Sequence, residues 1–197
     1  MSQIPTIPDN VSFSDAIALT RQLLDHVGVS EKDDHLEAGD EAAIAQAIAA
    51  LVQTKAGARG FFVAYLTGEP APASPPHPGV ISGLKLAPEQ TVDLLTKNLA
   101  MSTAMVLTHN RQNNSEMARQ SSLVQSRSLD LIEVLKMPTL RQALTQLRDS
   151  AAATDEAQAS NHVTDRGYEA FLTQWNYDNE QRQHIKVAAD EALERLG

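Results

Sequence analysis

PEQTVDLLTKNLAMSTAMVLTHNRQNNSEMARQSSLVQSRSLDLIEVLKMPTLRQALTQLR, residues 88–148, decides how the chain reads. It holds no glycine, and after Pro88 its one proline is Pro138. Leu, Ala, Gln, Arg and Glu are frequent, and these residues lose least on entering a helix. Pro88 suits a first helical turn, where a missing N–H costs nothing. The spacing predicts a helix from there to about His109, with Val92, Leu95, Leu99 and Val106 on its apolar face and Met101 and Met105 beside it. NRQNNS, 110–115, reads as a polar turn. A second helix follows over 116–136, with Met117, Val124, Leu131 and Leu135 spaced by seven, seven and four. So short a turn between two long helices makes an antiparallel hairpin. Pro138 then opens another helix, carrying Leu140, Leu144 and Leu147.

Upstream, Ser14 suits the N-cap of a helix over 15–27, with Ile17, Leu24 and Val27 on one face and Gly28 past its end. Asp40 caps a helix over 41–55 with the stripe Ile44, Ile48, Leu51 and Val52. GFFVAYLTG, 60–68, has strand-like content but no partner of like character. A short helix, apolar all round and central to the core, is the preferred reading; the alternative is one short strand pair near 60–67. EPAPASPPHPG, 69–79, holds five of the nine prolines and reads as an extended connector. Downstream, AAATDEAQASNHVTDRG, 151–167, reads as a surface loop. Tyr168, Phe171, Leu172 and Trp175 form one helical face, read with Tyr177 as core rather than as an exposed partner site. Asp178 and Gln181 make a capping box for a last helix with Ile185, Ala188, Ala192 and Leu196. The expected fold is all-α, a single domain of six to eight helices around a central antiparallel hairpin. Its parts are an N-terminal helical portion (1–69), a proline-rich connector (70–83) and a helical bundle (84–197).

With 16 Lys+Arg against 25 Asp+Glu, the net charge of −9 argues against a nucleic-acid partner. No apolar run approaches the roughly 20 residues of a membrane span. MSQIPTIPDN offers no signal peptide, so the cytoplasm is the default placement. The absence of cysteine excludes disulfides, a thiol nucleophile and a Cys-type zinc site. Walker, dinucleotide-binding, HExxH and GxSxG motifs are all missing.

Four constellations could carry function. Asn98, Met101, Met105 and His109 share a helix face, with Arg111 and Asn114 in the turn beyond. Asn98, His109, Arg111 and Asn114 form a candidate site for a small anion, since guanidinium and amide donors match carboxylate or phosphate. The plainer reading gives His109 to the helix dipole and Asn114 to a cap. The acidic stretch from Asp25 to Glu41, with His26 and His35, reads as a solvated linker rather than a metal site. Asp130 with Glu133, and Glu191 with Glu194, stand three apart, as magnesium-binding carboxylates do in all-α nucleotide pyrophosphatases, but less densely. Arg119 and Arg127 lie in the one basic region, 111–148, and are candidates for docking an acidic protein partner. The alanines of the second helix (Ala42, Ala43, Ala45, Ala47, Ala49, Ala50) permit close helix pairing, within the chain or in a homodimer.

GARGFFVAYLTGE (57–69), KNLAMSTAM (97–105) and YEAFLTQWNYDNEQRQ (168–183) resemble segments of uncharacterised, mainly helical proteins of cyanobacteria, from Ala42 onward. The resemblance implies no activity, cofactor or catalytic residue. The expected role is that of a soluble helical interaction or regulatory protein, with no cofactor and no metal. The alternatives are an anion-binding or hydrolytic site near His109 and Arg111, or a magnesium-dependent pyrophosphatase-like enzyme.

Overall fold

The computed structural model describes residues 4–32, 38–69, 75–152 and 167–197. Among them the chain is all-α: nine helices and no strand. They are α1 (Phe13–Lys32), α2 (Ala38–Val52), α3 (Lys55–Thr67), α4 (Pro78–Leu86), α5 (Pro88–Arg111), α6 (Ser115–Leu135), α7 (Pro138–Ala152), α8 (Glu169–Gln174) and α9 (Asn179–Arg195). The residues fall into two compact units, Met1–Leu94 and Leu95–Gly197, and the division lies within α5.

In the first unit α1 packs on α3 and α2 on α4, with α2 also touching α3. GFFVAYLTG belongs to α3, a helix as preferred, and all of it from Phe61 to Leu66 is buried except Val63. Thr54 caps it, its hydroxyl accepting from the Gly57 N–H at 3.0 Å. Two glycines set how closely these helices meet. A Cβ on Gly60 would stand 2.5 Å from Ala16 Cβ, and one on Gly83 2.7 Å from the Ala45 carbonyl and from Ile48 Cβ. The alanines of α2 are thus used within the chain: Ala45, Ala47 and Ala49 are buried, with Ala42 and Ala50 outside.

Two expectations give way here. Gly28 does not end α1, which runs on to Lys32, and the cap is Ser12 rather than Ser14, its hydroxyl accepting from the Asp15 N–H at 3.1 Å. The buried face is accordingly Ala16, Thr20, Leu23 and Val27. The end of the proline-rich connector read at 70–83 is also helical, from residue 78 onward. Pro78 opens α4 at a position that needs no N–H, and the buried His77 caps it, Nδ1 accepting from the Gly79 N–H at 3.0 Å.

In the second unit α7 packs on α9, α6 on α9 and α8 on α7. Helices α5 and α6 form the expected antiparallel hairpin around the turn 112–114, with Gln125 Nε2 donating to Thr103 Oγ1 at 3.0 Å. Leu99, Leu131, Leu135, Leu140, Leu144, Leu147 and Ile185 are buried. Lys136, at φ +46°, ends α6 and turns the chain into α7. The capping box of α9 is formed as expected. The aromatic face divides: Tyr168 and Tyr177 are buried, Phe171 is half-buried with Lys97 over its ring, and Trp175 is 50% exposed. Most of the loop read at 151–167 lies outside the described residues.

Candidate functional site

The polar groups singled out in the sequence sit where the helices of the second unit join. At the end of α5, Arg111 Nη1 donates to Asp178 Oδ2 at 2.5 Å, and Nη2 donates to Glu180. These bonds, that to Asp178 foremost, raise the Arg111 pKa, and the guanidinium holds the Asp178 carboxyl below its ordinary value. One turn into α9, Gln181 does double duty. Its Oε1 accepts from the Asp178 N–H at 3.0 Å, closing the capping box, while its Nε2 donates to Thr108 Oγ1 at 2.9 Å and to the Ala104 carbonyl. The first turn of α9 is thereby fastened to the last two turns of α5.

The four residues of the candidate anion site are therefore distributed over different tasks. Arg111 faces two carboxylates. Asn114 caps α6, its Oδ1 accepting from the Met117 N–H at 3.2 Å. His109 is half-buried, and its Nδ1 meets no hydrogen-bond partner among the described residues. Asn98 lies half-buried about three turns back along α5. The two candidate docking cations also part company. Arg119 is exposed beside Glu116, whose carboxyl it bonds at 2.8 Å and holds below its usual range. Arg127 is 8% exposed, so it lies inside the protein and not on the surface that a partner would meet.

Three of the four paired carboxylates converge, though on a cation of the chain's own. Arg195 Nη2 donates to Glu191 at 2.8 Å, and Nη1 stands 3.4 Å from Asp130 and 3.5 Å from Glu133, tying the end of α9 to α6. The bond to Glu191 foremost raises the Arg195 pKa. Glu194 is exposed and takes no part in this cluster. Among the described residues no three His, Asp or Glu side chains are disposed to hold a metal ion. The side chains of residues 29–39, in the acidic stretch, lie outside those described.

A fourth join escaped the sequence reading. Arg182 and Glu169 form an ion pair of 3.0 Å, their side chains only 10% and 18% exposed. Arg182 also donates to the Tyr177 carbonyl and Thr173 Oγ1, both at 3.3 Å, and to the Ser150 carbonyl at 3.4 Å, so one guanidinium holds α7, α8 and α9 together. Glu169 Oε2 is buried and meets no hydrogen-bond partner among the described residues. Thirteen residues separate the two partners, and no helical period marks them. Arg195, by contrast, stands four after Glu191, a spacing that could have pointed to it.

A family profile described as an uncharacterised conserved protein, UCP020893, matches residues 12–192. No curated protein and no solved structure matches the chain.

Proposed function

The chain belongs to the family matched over residues 12–192, and we propose that it acts as a helical interaction or regulatory protein. The observation that carries this reading is how its cations are used. Arg111, Arg182 and Arg195 each close on carboxylates of another helix. Groups fixed in joining helices are poorly placed to serve as acid, base or anion clamp for a substrate. The surface also carries apolar side chains: Trp175, Val187 and Met117 all stand out of the core. Arg119 remains on the surface and can contribute to an acidic partner's docking, without Arg127. No helix among the described residues is long and apolar enough to cross a membrane, and the cytoplasm goes with this reading as part of the proposal.

Thermal unfolding with inorganic phosphate, pyrophosphate and nucleotides plus Mg²⁺ tests it. No rise in Tm is expected, because a ligand that binds the folded state must raise it. A saturable rise that His109→Ala removes would assign a small-molecule site to the end of α5 and overturn the reading. Hydrolysis of a nucleotide that Glu133→Gln abolishes would overturn it in favour of the pyrophosphatase.

A further inference from the structure

Among the described residues His77 is the one buried histidine, 4% exposed. It stands immediately before α4, and its backbone and ring share the work of starting that helix. Pro78, the first residue of α4, has no N–H to satisfy. The N–H groups of Val80 and Ile81 donate to the His77 carbonyl at 2.9 and 3.2 Å. Gly79 is left, itself buried, and its N–H donates to His77 Nδ1 at 3.0 Å. That bond fixes the ring's proton. Nδ1 accepts and therefore carries none, so the neutral ring holds its proton on Nε2. An imidazolium donates from both nitrogens and accepts at neither. Here it would confront the Gly79 N–H and the positive end of the α4 dipole.

The cap holds α4 against α2, the helix on which it packs. A Cβ on Gly79 would stand 2.9 Å from Ile44 Cγ2 and 3.0 Å from the Glu41 carbonyl, and Ile44 is fully buried. The charged residues of the two helices are Asp40 and Glu41 in the first turn of α2 and Lys85 in the last turn of α4. Glu41 and Lys85 are exposed and Asp40 is half-buried, so water screens their pull on the ring. The Gly79 N–H, by contrast, opposes a proton on Nδ1 at bonding distance. We propose that His77 is a pH-sensitive latch on α4: neutral, its ring fastens the first turn against α2, and protonated, it releases that turn. A free imidazole takes up a proton below about pH 6.5, and the closed cap has no place for one on Nδ1. The open form therefore binds more protons in acid. The hold on α4 is complete above that pH and weakens as pH falls through it. The latch belongs to the first unit and does not depend on the functional reading above.

Amide hydrogen exchange of the full chain between about pH 8 and about pH 5 tests it. Helix α3 serves as the reference, because its cap is the Thr54 hydroxyl and it carries no histidine or carboxylate. Relative to α3, the protection of Gly79, Val80 and Ile81 should fall about tenfold on acidification. His77→Asn, which caps through Oδ1 and does not titrate, should keep that protection level across the range. Imidazole ¹⁵N shifts of the wild type should place the proton on Nε2 near pH 8. A second should appear on Nδ1 as the three amides lose protection. A constant ratio of α4 to α3 protection would overturn the proposal. So would an equal fall in the asparagine variant, or a ring whose proton sits on Nδ1 near pH 8.

Discussion

Arg182 shows how much one side chain can be asked to hold. Its guanidinium meets Glu169 and three further oxygens from three different segments, almost out of water. Removing one partner of such a pair leaves the other charged and buried, which typically costs about 3–5 kcal/mol. Arg182→Met should fall in that range in urea unfolding. Glu169→Gln should cost clearly less, because an amide oxygen can still accept and Arg182 keeps its carbonyl acceptors. Equal losses would mean that the charge of Glu169 carries the whole effect and that the carbonyl acceptors add nothing. Tyr177, buried beside this join, has its pKa pushed up to about 12 by burial. An unfolded tyrosine loses its proton near 10. The folded form therefore keeps its full contribution below about pH 10 and loses it as pH climbs toward about 12. Unfolding measured across that window should show the wild type weakening more steeply than Tyr177→Phe.

At the scale of the helices, glycines separate what the sequence could tell from what it could not. Gly28 looked like a terminator, yet α1 runs through it, and a Cβ there would meet nothing within 4 Å. Gly28→Ala should therefore stabilise by about 0.5–1 kcal/mol, since Ala is the better helix former and less free when unfolded. Gly83 sits against the backbone of α2, so Gly83→Ala should destabilise by about 1–3 kcal/mol despite the same gain in propensity. Thermal unfolding of the two variants should move Tm in opposite directions. In the sequence both are single glycines followed by an apolar residue, and only the neighbouring helix distinguishes them. Features that depend on residues a few apart were legible: the box of Asp178 and Gln181, the prolines at N1 of α5 and α7, the stripe of α2. The spacing of apolar residues says which side of a helix seeks cover but not how far along that side a partner reaches. For that reason the stripe from Met117 to Leu135 is buried only toward its C-terminal end.

For the molecule as a whole, the all-α class and the hairpin followed from composition and periodicity, while the joins did not. Asp130 and Glu133 read as cation ligands because a spacing of three aims two carboxylates one way. That they meet Arg195, 65 residues beyond Asp130, depends on the path of α7, α8 and α9. Arg111 likewise needed the position of α9 before its partners were visible. The first unit has a further property of this kind. Its helices pair across one another in sequence, α1 with α3 and α2 with α4. During synthesis, α1 and α2 emerge before the surfaces that bury Ala16, Leu23, Ile44 and Ile48 exist. The nascent chain must carry those side chains uncovered until α3 and then α4 leave the ribosome, and such exposure invites chaperone capture. A peptide of residues 1–54 should accordingly show weak helicity and no cooperative thermal transition, and a ribosome stalled at that length should be the one on which a hydrophobic-binding chaperone lingers.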